Sequence, residues 1–417
     1  MRILIASRYL PWPLIEGGRV AQYRTFEALR DACGFTLVVP VYSQEEQADA
    51  LYFAKMFPNV MVEAVQCSPS RRSLPRRIAG RLLRELSAPS PGETSRGNPA
   101  VPYYPFNTLH PDFVTAVERC FAKSCDIFQA EFADMLTLGP LMTGRVPSIF
   151  VHHQLHFVYA RRFIEANGAS DANVRYITER MIREEAAYLP TFDSAVVFSE
   201  VDRDALQNFC PALQVSVSPF PSPEDPIAIA RPFAQSVKHF VFVASEGHRP
   251  NVEGLRWFMK DVWPAIKGRM PDAIIEVIGK WSHPAQTSLP NHGDIRFAGF
   301  VPRLLESLQN KIMIVPVWVG SGIRTKILAA WSASCPLVTT TVGVEGLPGR
   351  SGEHFIVADD APAFANACVE LSSDMGKLNR MVANGLDLVQ KHYSLEAVRK
   401  TRLEVYDKLL AAHREGK

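Results

Sequence analysis

The stretch Val317-Trp318-Val319-Gly320-Ser321-Gly322-Ile323-Arg324-Thr325-Lys326 follows an apolar run, Ile312–Pro316, and opens a helical pattern over Thr325–Ser334. Its glycines let backbone approach a ligand closely. The free N–H groups at a helix start form an anion site. Arg324 and Lys326 add two cations where the helix dipole disfavours positive charge, so a bound anion is their natural partner. A diphosphate would satisfy glycines, helix end and cations together. The plainer reading is a tight turn with two surface cations. The spacing is neither G-x-G-x-x-G after a first strand nor G-x-x-x-x-G-K-[ST]. A simple dinucleotide dehydrogenase and a P-loop ATPase are therefore disfavoured.

Around this turn the chain alternates strand and helix signals. His239–Ala244, Ala273–Ile278, Ile295–Phe297, Ile312–Pro316, Leu337–Thr341 and His354–Val357 read as strands, with helices over Val252–Lys267, Leu304–Gln309, Thr325–Ser334 and Ala361–Ser372. The first half repeats the pattern. Met1–Ala6, Phe35–Tyr42, Asp126–Gln129, Ser148–Val151 and Ser194–Phe198 are apolar without alternation, as buried parallel strands are. Helical periodicity covers Arg19–Ala32, Asn173–Leu189 and Glu200–Asn208, the last with Ser199 as N-cap. The fold class is α/β, with two doubly wound Rossmann-like domains facing across a cleft. The expected divisions are 1–215, a Pro-rich linker 216–236, a second domain 237–394 and a periodic C-terminal helix 395–417 that packs back on the first domain.

Bulk properties narrow the class. The net charge of +2 over 417 residues gives no field that argues for nucleic acid. Seven cysteines, an odd number without a CxxC pair, fit structural thiols in a reducing cytoplasm and supply no zinc set. No window is long and apolar enough to span a bilayer, and the N-terminus lacks a signal-peptide core. A basic insert between Ser68 and Tyr104 carries Arg71, Arg72, Arg76, Arg77, Arg81 and Arg84 beside an apolar face. It reads either as a helix on an anionic membrane surface, making the protein peripheral on the inner face, or as a solvated helix whose Arg stems cover apolar residues.

The run GSGIRTKILAAWSASCPLVTTTVGVEGLP, residues 320–348, resembles the donor-binding core of the group-1, or family 4, glycosyltransferases, in the branch that carries GGGxRxK. The likeness extends to Glu16-Gly17-Gly18, to the SExD segment Ser199–Asp202, to residues 242–264, and to the turn Phe297-Ala298-Gly299-Phe300-Val301. The resemblance implies the GT-B fold and retaining transfer of a sugar from a nucleotide-diphosphate donor to a glycan or lipid-linked acceptor in bacterial surface polysaccharide synthesis. It implies no cofactor beyond the donor substrate and no metal. By the same carry-over, Gly320, Ser321, Gly322, Ile323, Arg324 and Lys326 line the diphosphate and sugar. Gly17 and Gly18 approach from the other domain, and Arg249 supplies a further cation unless it pairs with Glu246 or Glu253. Phe300 and Val301 flank the base. His152 or His153, with His153 preferred, contacts the transferred sugar. Glu131 and Asp134 lack the pattern of a nucleophile.

The sequence departs from that pattern at two acidic positions eight apart, here Ser321 and Ala329. The second is where relatives bind the ribose. Glu345 is the carboxylate that could reach the same cleft. Ser334 stands where a Gly usually follows the helix. A transferase-like partner subunit that has lost catalysis is therefore the second function class. An epimerase or phosphorylase on the same scaffold is a third, and no Lys motif suggests pyridoxal.

Overall fold

The computed structural model describes residues 1–14, 16–67, 106, 108–123, 125–167 and 172–415. The Arg71–Arg84 segment lies outside them. Strands β1 (Arg2–Ser7), β2 (Gly34–Val41), β3 (Val60–Gln66), β4 (Ile127–Glu131), β5 (Ser148–Val151), β6 (Ser194–Val197) and β7 (Gln214–Val217) form one parallel sheet in the order β3-β2-β1-β4-β5-β6-β7. Strands β8 (His239–Val243), β9 (Ile274–Ile278), β10 (Ile295–Gly299), β11 (Ile312–Val315), β12 (Leu337–Thr339) and β13 (Ile356–Val357) form a second, in the order β10-β9-β8-β11-β12-β13. A parallel sheet is covered by helices on both faces, so its central strands are apolar throughout. Accordingly β4, β5, β6 and β11 are buried along their whole length.

The edges are different. Only the first residue of β3 is fully buried, and β7 has no fully buried residue. The apolar signal of β7 is correspondingly weak, and the linker expected from residue 216 begins inside this strand. β3 and the helices Gln44–Met56 and Met375–His392 lie in stretches that the sequence reading left unassigned. The helix expected over Val252–Lys267 runs as Arg249–Trp257, a π-helical turn Phe258–Val262 and Trp263–Arg269. Pro264, which has no N–H to donate, stands at the head of the last part.

In each sheet the strand order reverses beside the first strand, at β1/β4 and at β8/β11. Loops leaving the carboxyl ends of strands at such a switch point form a ligand crevice. The loop after β1 leads into the helix that opens with Gly17 and Gly18, and the loop after β11 carries Gly320–Arg324. Topology thus sets the two glycine turns in the two crevices.

The C-terminal helix Leu395–Glu415 packs on the helix Gly17–Ala28 of the first domain, and Arg399 Nη1 donates to Ala28 O at 3.2 Å. The connector is fastened to both halves. Ser222 N–H donates to Tyr393 O at 2.8 Å, Ser222 Oγ meets Ser332 Oγ at 2.8 Å, and Arg24 Nε donates to Ser222 O at 3.0 Å. One apolar cluster runs from Ile3, Phe26 and Leu37 to Leu328, Trp331 and Tyr406. No helix among the described residues is long and apolar enough to cross a membrane. All seven cysteines are free, and six are buried.

The helix Thr325–Ser332 ends as glycine-capped helices do. Cys335 N–H returns to Ala330 O at 2.8 Å, and Ser334 takes φ 54°. That left-handed conformation costs a residue with a Cβ about 1–2 kcal/mol. The Ser334 hydroxyl does not offset this, since Oγ is buried without a hydrogen-bond partner among the described residues. Ser334→Gly should therefore raise stability by about 1 kcal/mol, after the extra unfolded-chain entropy of glycine is subtracted. Urea unfolding checks it, and an unchanged or lower midpoint counts against the assignment.

Candidate active site

The turn after β11 is built by conformation and charge together. Gly320 and Gly322 take φ 146° and 77°, where a side chain is strained. Arg324 folds back on the turn, donating to Ser321 O at 3.0 Å and also to Gly322 O and Val342 O. Lys326 Nζ donates to Asn251 Oδ1 at 3.0 Å and lies 4.6 Å over the Phe242 ring. Among the described residues neither cation has a carboxylate in hydrogen-bond contact. Burial pulls the Lys326 ammonium down to about 7, helped by the Arg324 charge. Burial likewise lowers Arg324 to about 10. Glu345 and Asp202 oppose that shift from a distance, while Arg162 adds to it.

The opposite wall comes from the first domain. A Cβ placed on Gly17 would lie 3.3 Å from Thr325 Cγ2, so the two helix starts meet. Gly17 and Thr325 each begin a helix, and neither helix has a side-chain cap. Two helix N-termini with free N–H groups therefore converge beside two half-buried cations. A concentration of positive potential of this kind suits a multiply charged anion.

His153 and His152, adjacent in sequence, face opposite ways. His153 stacks on Phe132 at 4.1 Å and sets Nε2 2.9 Å from Glu131 Oε2. Its Nδ1 is buried with no partner and faces Gly18, where a Cβ would stand 3.6 Å away. That Cβ would also lie 2.7 Å from Phe132 Cε1, so only glycine fits. Phe132 itself holds φ 72°, a strained backbone of the kind that collects at functional sites. His152 is turned away into the domain, with Nδ1 3.2 Å from Gln154 O and Nε2 3.4 Å from Glu185 Oε1. Burial pushes it down to about 3, the His156 charge adding to this, and it presents nothing to the cleft.

A residue that the sequence did not signal closes the site. Arg162, on the helix His156–Asn167, donates to Glu345 Oε1 and Oε2, both at 2.6 Å, and to Gly320 O. Glu345 does reach the glycine turn, but its carboxylate is held by Arg162. Ser321 Oγ donates to Leu155 O at 3.2 Å, and Gly346 fits against Ser199. Other expected residues stand apart. Arg249 pairs with Glu253 at 2.5 Å on the outside of its helix. Phe300 is 79% exposed at the end of β10, and Val301 beside it is half-buried. Ile323 is half-buried beneath the turn, and Ala329 lies in the core. Glu131 is committed to His153 and Asp134 to Arg8.

Next to the cleft the first domain holds a cavity of about 380 Å³, lined among others by Arg8, Tyr9, Trp12, Arg19, Tyr42 and Asp134. The Arg8 and Arg19 guanidiniums lie 4.9 and 5.2 Å from the Tyr9 ring. Tyr9 meets Phe132 edge-on at 5.2 Å, so a short aromatic path joins the cavity to His153. Aromatic faces among planar polar groups suit a ring with apolar faces and a hydroxylated rim.

Residues 237–374 match the family model of group 1 glycosyl transferases. A curated Klebsiella pneumoniae protein, described as an uncharacterized 44.6 kDa protein in the cps region, is 26% identical over 158 residues. The match covers 36% of this chain and 40% of that protein, less than half of either. Anabaena HepE in complex with UDP superposes over 98% of this chain and 100% of its own, with TM-score 0.65 at 12% identity. Sucrose-phosphate synthase from Thermosynechococcus elongatus covers 99% of each chain, with TM-score 0.68 at 14% identity. The pneumococcal O-GlcNAc transferase GtfA with UDP and GlcNAc covers 98% and 99%, with TM-score 0.66 at 11% identity. The architecture is that of the GT-B glycosyltransferases, and the family match falls on the domain that holds the Arg324–Lys326 turn.

Lys326 gives the site a pH signature. Its folded-state pKa, about 7, is below its ordinary 10.5, so the unfolded chain binds more protons between those values. The stability lost by burying the ammonium is thus fully felt below pH 7 and relieved as pH rises through that window. A bound diphosphate reverses the shift by restoring the charge. Affinity for inorganic pyrophosphate should therefore fall between about pH 7.5 and 9, with about one proton taken up on binding. Calorimetry in buffers of different ionisation enthalpy measures this. A flat profile without proton uptake would remove Lys326 from the site.

Proposed function

We propose that the protein transfers a glycosyl group, with retention of configuration, from a nucleotide-diphosphate donor to a glycan or lipid-linked acceptor. The observation that carries this reading is the convergence of two uncapped helix N-termini on the half-buried pair Arg324 and Lys326. The donor diphosphate lies on the Gly320–Lys326 turn, with the base beside Phe300 and Val301. UDP is the favoured carrier, because HepE and GtfA have each been solved with it. As the bond to the sugar breaks, charge builds on the leaving diphosphate, and fixed N–H groups and cations at the turn stabilise it there.

With Glu131 and Asp134 both engaged in pairs, the reaction uses no protein nucleophile. The leaving diphosphate takes the acceptor's proton as the acceptor oxygen attacks the same face. His153 contacts the transferred sugar, and the Tyr9–Tyr42 cavity takes the acceptor. Arg324 and Lys326 meet the diphosphate charge in place of a divalent metal. The cps-region relative supports a role in surface polysaccharide synthesis. The same reading puts the protein on the inner face of the membrane, with the Arg71–Arg84 segment against anionic lipid.

One observation favours the second reading, a partner subunit without activity. Ala329 is buried and offers no carboxylate to a ribose, and Glu345 is held by Arg162.

A thermal-shift screen against UDP-, GDP-, ADP- and CMP-sugars separates the two readings, since a ligand stabilises the fold it binds. Stabilisation by a donor, followed by transfer with retained anomeric configuration, supports the enzyme. Silence across the set supports the partner subunit. Arg324→Ala should weaken nucleoside-diphosphate binding by about 1–3 kcal/mol while the protein stays folded. Wild-type affinity by calorimetry would refute that. Turnover should persist in EDTA, and its loss with rescue by Mg²⁺ or Mn²⁺ would overturn the metal-free mechanism.

A further inference from the structure

Behind His153 a line of buried polar side chains runs through the first domain to the C-terminal helix. Tyr406 donates its hydroxyl to Gln129 Oε1 at 2.7 Å. Gln129 Nε2 donates to Glu131 Oε1 at 2.6 Å, and Glu131 Oε2 meets His153 Nε2 at 2.9 Å. Gln129, Glu131 and Tyr406 are all buried. Gln129 and Glu131 stand two apart on β4 and so share one face of the sheet.

The chemistry of these groups fixes the direction of every bond. Burial would raise Glu131, but the hydrogen bond from His153, the Arg402 charge and a hydrogen bond from Gln22 hold the group below the ordinary carboxylate range. Glu131 is thus ionised and can only accept. Gln129 must turn its NH2 toward Glu131 and therefore its carbonyl oxygen toward Tyr406. Tyr406 must then donate, and it keeps its proton, since burial pushes the phenol up to about 12. At the other end His153 Nε2 must carry a hydrogen. In the neutral ring Nδ1 is then a lone pair, buried, unpartnered and facing Gly18. A buried acceptor without a donor is costly, and a donor arriving in the cleft removes that cost.

We propose that Tyr406 and Gln129 are positioning residues of the transfer site. Through Glu131 they fix His153 as the Nε2–H tautomer, so that Nδ1 accepts a hydrogen bond from a hydroxyl of the bound sugar. The inference rests on the glycosyl-transfer reading for its substrate, and on the hydrogen-bond geometry alone for the tautomer. It gives the returning C-terminal helix a second task besides packing. Tyr406 comes from the segment that follows the donor domain, yet its hydroxyl orients a ring on the acceptor side.

The test is long-range ¹H–¹⁵N correlation on the full chain labelled at histidine, with His153 assigned by its loss in His153→Gln. Wild type should show Nε2 protonated and Nδ1 unprotonated. Tyr406→Phe and Gln129→Leu should each give a tautomer mixture and lower kcat about tenfold, with the donor KM within about twofold. A wild-type ring protonated on Nδ1 overturns the proposal. So do variants that keep both the wild-type ring spectrum and the wild-type kcat. If Tyr406→Phe does not fold, Gln129→Leu and the wild-type spectrum still decide. If the spectra behave as expected but no donor turns over, the relay stands and the transferase reading is what fails.

Discussion

Two half-buried cations at one helix start, with no carboxylate in hydrogen-bond contact among the described residues, form the constraint on which the rest of the site depends. Removing an ammonium and a guanidinium from water is expensive, and backbone carbonyls compensate only part of the loss. Arg324 spends its donors on Ser321, Gly322 and Val342, and Lys326 has Asn251 and the face of Phe242. Neither arrangement neutralises the charge. A domain that needed only stability would fill these positions with apolar side chains. Their retention at a convergence of helix N-termini is an argument from physical cost, independent of any resemblance. The β11 strand and the helix Thr325–Ser332 supply the scaffold, and the core around Trp331 keeps that scaffold stiff.

Much of this was legible in the sequence, and the exceptions have physical causes. Strands such as β5 (SIFV) and β11 (IMIV) read directly, because a strand buried on both faces has no polar alternation. β7 (QVSV) lies at an edge, half in solvent, and its run merged with the Pro-rich connector. The glycine turn was legible because its residue types are forced by φ and by charge. Ser334 showed the limit of that logic. The position is left-handed, as its usual glycine implies, but the serine's hydroxyl bonds nothing. His152 and His153 could not be told apart from sequence. The chain passes β5 and turns between them, so adjacent side chains diverge by nearly a strand's full alternation.

Long-range pairs were the least legible. Arg162 sits in HFVYARRF, where nothing distinguishes it from Arg161. Its partners Gly320 and Glu345 lie 158 and 183 residues away. Tyr406 and Gln129 are 277 apart. Tyr406 reads as one more apolar position of a periodic helix, and its hydroxyl gains meaning only once β4 is beside it. Glu131 was visible as a loop-proximal acid without a pattern. What assigns it is Phe132, whose strained backbone and stacked ring hold His153 over it.

The Arg162–Glu345 pair also bears on how readily the closed arrangement gives way. The two side chains keep 26% and 29% of their surface in water, so the pair is neither isolated from solvent nor screened away. Ion pairs of that exposure contribute on the order of 1 kcal/mol, more when bidentate. Beside it the domains meet at the cleft through close glycine contacts at Gly17, Gly322 and Gly346 and through the Ser321 hydroxyl on Leu155 O. The contribution of this pair is therefore small against the free energy of binding a doubly charged ligand. A charged ligand on the glycine turn would thus outweigh the Arg162–Glu345 pair in holding that edge of the cleft together.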